Sequence, residues 1–249
     1  MTRPQVPTEA LDPNLVLRAY AMGVFPMADA HDAPGVYWVE PKQRAVLPLD
    51  GFRLTRSLAK TIRRDRFRVT ADAAFGDIIR LCGAAAHDRP ETWINPSIRD
   101  VFTQLHARGF AHSLEVWDGD QLAGGLYGLA LGRAFFGESM VSRARDASKV
   151  ALAWLVARLR TGGFTLLDCQ FMTDHLASLG AIEVSRARYI ALLGAALGAS
   201  TAGIAFGAAR VDGDWRALDA LGAASPEPGV TVSGPVAGKD IVQLLGQTS

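Results

Sequence analysis

Two carboxylates stand inside apolar, strand-like segments of this chain. Glu138 lies within residues 136–140 (FGESM), and Asp168 lies within residues 167–170 (LDCQ). A buried carboxylate costs free energy unless hydrogen bonds or an opposite charge compensate it, so each acid needs a partner or a chemical task. Two such residues in one stretch of the chain predict a functional site.

The strand predicted over residues 164–170 groups Asp168 with an amide. Because side chains alternate along a strand, Leu166, Asp168 and Gln170 are predicted to share one face. An acid beside an amide can orient an amine or polarise a proton transfer. The alternative is a structural aspartate that accepts backbone hydrogen bonds at the end of the strand.

The same alternation on the preceding strand groups Glu138 with Phe136 and Met140. A glutamate between large apolar side chains predicts an apolar pocket with one charged anchor, suited to an apolar ligand that carries an ammonium group. The alternative is a solvated edge strand, where a charge is tolerated.

A stripe of cations follows one predicted helix face at spacings of three and four. Such a stripe can dock on phosphates and position a nucleic acid, although many charged helix faces are only solvated. Its members are Arg53, Arg56, Lys60, Arg63 and Arg64. Trp93, in a predicted loop, can either stack a nucleobase or fill a core.

Other catalytic patterns are not found in the sequence. The histidines have no metal-ligand spacing, and no serine stands in a G-x-S-x-G elbow, so we predict neither a zinc site nor a serine-type triad. Cys82 and Cys169 have no metal spacing either, which fits a reducing compartment without disulfides. Residues 1–9 contain no apolar run, so no secretory signal is predicted.

The composition is that of an ordinary globular protein. The chain has 249 residues, of which 49% are hydrophobic and 20% charged, with a formal net charge of +1. This length can bury a substantial core, and the near-neutral charge argues against wholesale coating of nucleic acid.

The order of predicted elements indicates an α+β fold. From residue 67 it is β-α-α-β-β-β-α-β-α, the order of an acetyltransferase-like (GNAT-like) mixed sheet. The elements are a strand at 67–70, helices at 72–86 and 95–109, strands at 111–117, 121–130 and 134–140, a helix at 148–160 and a strand at 164–170.

Three regions are predicted. A small, Pro-punctuated N-terminal domain covers residues 1–50, and the acetyltransferase-like domain covers residues 51–193. Residues 194–249 are rich in Ala, Gly and Pro and are expected to form an extended, loosely packed tail. Residues 189–209 carry no charge and have the length of a membrane span, but their Ala/Gly composition favours part of this tail.

The chain resembles the bacterial leucyl/phenylalanyl-tRNA–protein transferase family through a series of ordered motifs. The resemblance covers about residues 11 to 193, and its last block of motifs ends near Tyr189. The motifs are residues 20–27 (YAMGVFPM), Trp38 with Pro41 and Arg44, residues 92–94 (TWI), 105–106 (LH), 112–117 (HSLEVW), 124–128 (GGLYG), and the block from 135 to 181 that contains both acids.

The resemblance implies an enzyme that transfers Leu, Phe or Met from an aminoacyl-tRNA to the N-terminal Arg or Lys of a protein, which marks that protein for degradation. It implies no ATP, metal or coenzyme A, because the tRNA ester is already activated. The expected protein is cytoplasmic and monomeric, with no membrane partner.

The resemblance also implies roles for individual residues. Gln170 would position the attacking amine, with Asp168 as a general base or an orienting group, and Glu138 would face the ammonium of the aminoacyl group. Trp93 and Met27 would hold the terminal adenosine, Met27 standing where many members carry a second Trp. Arg56, Lys60, Arg63 and Arg64 would bind the tRNA body. The aminoacyl side chain would enter a pocket of Leu126, Phe135, Met140, Leu152, Leu155 and Leu167.

Two rival functions are considered. A coenzyme A-dependent N-acyltransferase would need a Gly-rich loop for the pyrophosphate, but residues 142–148 (SRARDAS) contain no glycine. A non-catalytic tRNA-binding protein would use the cationic stripe and Trp93, but it would leave Glu138 and Asp168 without a task.

Overall fold

The computed structural model describes residues 11–84, 92–198, 212–223 and 236–247. In these ranges the helices are α1 (Pro13–Ala21), α2 (Arg56–Arg63), α3 (Phe75–Cys82), α4 (Pro96–Ala107), α5 (Ala147–Thr161), α6 (Asp174–Ser178), α7 (Arg186–Ala196), α8 (Ala217–Ala223) and α9 (Gly238–Gly246). The strands are β1 (Phe25–Met27), β2 (Tyr37–Val39), β3 (Gln43–Val46), β4 (Arg68–Ala71), β5 (Ala111–Asp118), β6 (Gln121–Leu131), β7 (Ala134–Ser142), β8 (Leu166–Asp168) and β9 (Ile182–Ser185).

Seven strands form one mixed sheet in the order β4-β5-β6-β7-β8-β3-β9. Neighbouring strands are antiparallel except β7 and β8, which are parallel. A parallel pair needs a crossover, and α5 provides it. β1 and β2 form a separate antiparallel pair.

The predicted α+β class and element order are confirmed. From β4 to α6 the order is β-α-α-β-β-β-α-β-α, and β9 and α7 then extend it beyond the prediction. The sequence analysis placed residues 1–50 in a separate N-terminal domain. Within that range, β3 (Gln43–Val46) lies inside the main sheet, between β8 and β9. The predicted helix at 72–86 is α3, which starts at Phe75 and ends at Cys82; residues 85 and 86 lie outside the described ranges.

Alternate side chains of the central strands pack into two cores on opposite faces of the sheet. Leu126, Phe135 and Leu167 belong to the α5-side core, which also contains residues of α2, α5, α8 and α9. Tyr127, Phe136 and Leu166 belong to the α4-side core, which also contains residues of α1, α3, α4 and α7. This division follows from the period of two along each strand.

The expectation of an extended tail is wrong for residues 212–223 and 236–247. Leu218 of α8 and Ile241 of α9 are fully buried in the α5-side core. The start of α9 is fixed to the end of α2, where Asp65 Oδ1 accepts a hydrogen bond from Gly238 N at 2.7 Å. Ile241 and Leu245 stand four residues apart, the helical spacing that sequence reading missed. The predictions for residues 1–10, 199–211, 224–235 and 248–249 lie outside the described ranges.

The expectation that residues 189–209 belong to a loosely packed tail is wrong for residues 189–196, which are part of the regular helix α7. Tyr189, Leu193 and Ala196 are its buried face. None of the helices in the described part of the chain is long and apolar enough to cross a membrane.

Ile241→Ala is expected to lower the free energy of unfolding by about 2–5 kcal/mol, because it removes a fully buried side chain from the contact between α9 and the core. Chemical denaturation measures the change. Gln243→Ala, on the exposed side of α9, is the control and is expected to change stability by less than about 0.5 kcal/mol. Equal values for the two variants would contradict the packing of α9.

Candidate functional site

A cavity of about 310 Å³ opens where β6, β7 and β8 meet α5 and α6. Most of its wall is apolar, and the sequence predicted these apolar residues: Leu126, Met140, Leu152, Leu155 and Leu167. Glu138 and Gln170 are polar members of the lining, and Met27, Trp93, Phe25 and Phe171 are aromatic or thioether members. The fold therefore brings most of the predicted site residues to one place.

Glu138 reaches the cavity through a β-bulge. Tyr127 pairs with Ser139, and Gly128 pairs with Gly137, so Glu138 is an extra residue on β7. An extra residue reverses the alternation that follows it, and bulges next to functional sites re-aim side chains in this way. The prediction that Phe136, Glu138 and Met140 share a face is wrong: Phe136 packs in the α4-side core and Met140 against the α5-side core.

The carboxyl group of Glu138 is buried, with 8% of the residue exposed. Burial raises its pKa from 4.5 to about 8, and the neighbouring charge of Asp168 adds to the rise. Tyr20 and Arg44 act in the opposite direction. Gln170 Nε2 donates a hydrogen bond to Glu138 Oε1 at 3.3 Å. The cavity wall therefore carries a carboxyl group whose pKa of about 8 favours the protonated form near neutral pH.

Asp168 is fully buried in an ion pair with Arg44. Arg44 Nε donates to Oδ1 at 2.9 Å, and Arg44 Nη2 donates to Oδ2 at 2.6 Å. The Tyr189 hydroxyl donates to Oδ2 at 2.8 Å. Both oxygens of Asp168 are thus engaged, and Asp168 is not among the residues that line the cavity.

Arg44 connects this pair to the N-terminal part of the chain. Its Nη1 donates to the carbonyl oxygen of Gly23 at 3.1 Å. Its guanidinium lies 4.5 Å from the ring centroids of both Phe25 and Tyr189. The arginine is 1% exposed, so its charge is compensated almost entirely by Asp168 and by these groups.

Gln170 leaves the path of β8. The strand ends at Asp168, and Gln170 adopts a left-handed backbone with φ of 54°. Its backbone N–H donates to Asp168 Oδ1 at 2.8 Å, while its side chain lines the cavity beside Glu138. The prediction that Gln170 continues the face of Leu166 and Asp168 is therefore wrong, because the turn re-aims its side chain.

Phe135 does not line the cavity. It is fully buried behind the cavity wall, in register with Leu167 on the parallel strand β8 and stacked against Trp215. The family resemblance implied that it lines the pocket, but in the structure it packs in the core behind the residues that do.

Trp93 and Met27 lie close to each other at the cavity. The carbonyl oxygen of Trp93 accepts a hydrogen bond from Ala28 N at 3.3 Å, directly after β1. Both side chains are partly exposed. The loop that carries Trp93 is thus held against the strand that carries Met27.

Most of the cationic stripe lies on α2: Arg56, Lys60 and Arg63 are in the helix and Arg64 is its C-cap, whereas Arg53 precedes it. Leu58, Ala59 and Ile62 bury one face of this helix. The predicted tRNA-binding cations, Arg56, Lys60, Arg63 and Arg64, are all exposed, and none has an ion pair within 4 Å among the residues that the structure describes. These charges are available to an anionic partner.

The family models and the curated relatives that match this chain agree on one family. A model of leucyl/phenylalanyl-tRNA protein transferase matches residues 46–194, and a model of its N-terminal domain matches residues 9–42. The chain is 62% identical to the leucyl/phenylalanyl-tRNA–protein transferase of Rhizorhabdus wittichii, over 97% of this chain and 100% of that protein. The chain belongs to the leucyl/phenylalanyl-tRNA protein transferase family.

Further relatives carry the same name. The Zymomonas mobilis protein is 56% identical over 86% of this chain and 78% of its own, and the Afipia carboxidovorans protein is 49% identical over 96% and 95%. Among solved structures, the chain is similar to L-PGS from Bacillus licheniformis, with a TM-score of 0.38 and 11% identity over 62% of this chain and 51% of that one. The sequence-based assignment to the transferase family is confirmed.

Sequence reading missed several residues of this family member's site. Arg44 and Tyr189 were part of the family motifs but had no predicted role, and Tyr20 was not connected with Glu138. The sequence did contain a signal for Arg44. It stands directly before the apolar run of Ala45, Val46 and Leu47, where a buried cation, like a buried acid, needs a partner. His175 also lines the cavity, and burial together with Lys149 lowers its pKa.

The described residues include no group of three or more His, Cys, Asp or Glu side chains arranged to hold a metal ion. Cys169 lines the cavity, but burial raises the pKa of its thiol well above the ordinary value. A neutral thiol is a weak nucleophile, so Glu138 and Gln170 are better suited than Cys169 to act on a substrate in the cavity.

Glu138 is expected to make stability fall as pH rises from about 4.5 to 8. The unfolded chain releases this proton near pH 4.5, whereas the folded protein holds it up to about pH 8; folding therefore takes up a proton in this window. Titration of Glu138 is expected to lower the free energy of unfolding of the wild-type protein by at most about 1.4 kcal/mol per pH unit in this window, and Glu138→Gln is expected to lack this contribution.

Denaturation at several pH values measures this slope. Glu183→Gln, at an exposed glutamate of β9, is the control and should follow the wild-type curve. A Glu138→Gln curve parallel to wild type would show that Glu138 is ionised in the folded protein.

Proposed function

We propose that this protein transfers Leu or Phe, and also Met, from an aminoacyl-tRNA to the N-terminal Arg or Lys of acceptor proteins. The observation that carries the proposal is the apolar cavity that contains the Glu138–Gln170 pair. Its volume of about 310 Å³ is at the small end of ligand pockets, which suits one apolar amino-acid side chain. The new residue then marks the acceptor for degradation.

Glu138 binds the ammonium group of the aminoacyl ester. An opposite charge within a few ångströms favours the ionised form of a carboxyl group, so the arriving ammonium lowers the pKa of Glu138 and creates an ion pair. Leu126, Met140, Leu152, Leu155 and Leu167 surround the apolar side chain of the same aminoacyl group.

Gln170 positions the attacking amine. Its Nε2–H donates a hydrogen bond to Glu138, which leaves its amide oxygen to accept a hydrogen bond from the acceptor's α-amine. The amine nitrogen forms a bond to the ester carbonyl carbon, the bond from that carbon to the ribose oxygen breaks, and the amine's proton passes to this oxygen. The ester supplies the driving force, so positioning is the main task of the protein.

Asp168 acts as a positioning residue in this mechanism. Its oxygens accept hydrogen bonds from Arg44, Tyr189 and the backbone of Gln170. These contacts hold the left-handed turn at Gln170 and leave no oxygen of Asp168 free to take a proton. Of the two roles that the sequence left open, orientation is the better supported.

The tRNA approaches along the α2 side of the molecule. Trp93 stacks the terminal adenine, Met27 contacts it, and Arg56, Lys60, Arg63 and Arg64 hold the phosphate backbone. The protein works as a cytoplasmic monomer and needs no ATP, metal or coenzyme A.

The transfer of labelled Leu from charged tRNA to a peptide that begins with Arg tests the function directly. Asp168→Asn is expected to reduce transfer at least about 100-fold while tRNA binding persists, because a misplacement of Gln170 by about 1 Å is enough for such a loss. Asp174→Asn, at an exposed aspartate of α6, is the control.

Because Asp168→Asn leaves Arg44 buried without its charge partner, it can destabilise the fold. Tyr189→Phe removes a single hydrogen bond to Asp168 and is expected to reduce transfer more mildly with the fold intact. Full activity of folded Asp168→Asn would overturn the positioning role. Acyl transfer from acetyl-CoA without tRNA would overturn the proposed function.

Replacing Arg56, Lys60, Arg63 and Arg64 together with Ala is expected to weaken tRNA binding and to reduce the slope of log K against log salt by roughly 3 to 4, if each cation contacts one phosphate. Filter binding over a salt series measures the slope. The control replaces Arg18, Arg80 and Arg99, which each lie within 4 Å of an acidic side chain. An unchanged salt slope in the α2 variant would show that these cations do not contact the tRNA phosphates and form only a solvated helix face.

A further inference from the structure

Trp215 attaches the C-terminal segment 212–223 to the edge of the sheet. Its indole Nε1 donates to Asp72 Oδ2 at 2.9 Å, and His112 Nδ1 lies 2.8 Å from the same oxygen. The indole also stacks on the His112 ring, with centroids 4.5 Å apart. Trp215 is 6% exposed, so a directional hydrogen bond and ring contacts together define its position.

The same indole stacks on Phe135, with centroids 5.3 Å apart and 8° between the ring planes. A Cβ added to Gly128 on β6 would overlap the Phe135 ring. Phe135 is thus confined both by the backbone of β6 and by Trp215. It has no space to move unless one of them changes.

Phe135 supports the wall of the cavity described above. It pairs in register with Leu167 across β7 and β8, and Leu167 lines the cavity. Trp215, Phe135 and Leu167 therefore form a row of neighbouring residues that leads from the C-terminal segment to the apolar pocket.

Trp215 reaches the opposite wall through α5. Arg158 Nη1 donates to the carbonyl oxygen of Trp215 at 2.6 Å, and the guanidinium lies 4.9 Å from its ring. Arg158 also pairs with Asp219 of α8 and is 3% exposed. Leu155 lies one turn earlier on α5 and lines the cavity. One tryptophan thus contacts both elements, β7 and α5, that enclose the apolar pocket.

We propose that Trp215 is a positioning residue that sets the depth of the aminoacyl pocket, so that the C-terminal segment determines the preference between leucyl and phenylalanyl groups. This inference rests on the proposed function. Phe135 and α5 are held in close packing by Trp215, and the space left to Leu167 and Leu155 defines how large a side chain fits. A hydrophobic pocket discriminates by such differences in volume.

Trp215→Ala is expected to let Phe135 retreat and to deepen the pocket. The ratio of kcat/KM for phenylalanyl-tRNA to that for leucyl-tRNA should rise roughly 10-fold, the lower end of the effect that a difference of one methylene group has in an apolar pocket. Trp215→Phe keeps a ring on Phe135 and loses the hydrogen bond to Asp72, so its ratio is expected to stay near wild type. Phe135→Leu, which shortens the support itself, should raise the ratio even if Trp215→Ala does not fold.

Ile241→Ala is the control, because it removes a buried side chain of α9, a different helix of the C-terminal region from the segment that carries Trp215. It should lower stability and leave the ratio unchanged. An unchanged or lower ratio in both Trp215→Ala and Phe135→Leu, or an equal rise in Ile241→Ala, would overturn the inference. Absence of any transfer by the wild-type protein would instead overturn the proposed function.

Discussion

The buried ion pair between Arg44 and Asp168 is the interaction on which the site depends. The two residues are 124 positions apart in the chain, and their contact joins β3 to β8. The pair also forms hydrogen bonds with Tyr189 of α7 and with the backbone of Gly23. Two desolvated charges are tolerated because each is satisfied by several hydrogen bonds, and removing either would leave the other unpaired. The same carboxylate holds the backbone of Gln170, so the pair links the fold to the cavity.

Irregular backbone brings Glu138 and Gln170 together at the cavity. Glu138 is the extra residue of a bulge, and Gln170 has a positive φ. In regular strands, neither side chain would have its present direction. Strained or irregular positions persist where the surrounding structure determines them, and here the flanking strands and the Asp168 network do so.

The two acids first noticed in the sequence have different environments. Asp168 is paired with a buried cation, whereas Glu138 has an amide neighbour and a carboxyl group whose pKa is raised by burial. Environments that differ in this way assign different tasks to chemically similar groups. Asp168 is suited to hold structure, and Glu138 to respond to an arriving charge.

The sequence by itself determined the family, the α+β class, the element order and most of the apolar cavity wall, because these depend on ordered motifs and on local periodicity. The family resemblance, for example, implied the cavity residues Leu152 and Leu155, which lie one turn apart on α5. Tertiary structure decided what depends on contacts between distant residues. The partner of Asp168, the bulge at Glu138, the turn at Gln170 and the packing of Trp215 on Phe135 all require strands and segments far apart in the chain to meet, and no local spacing encodes which of them will do so.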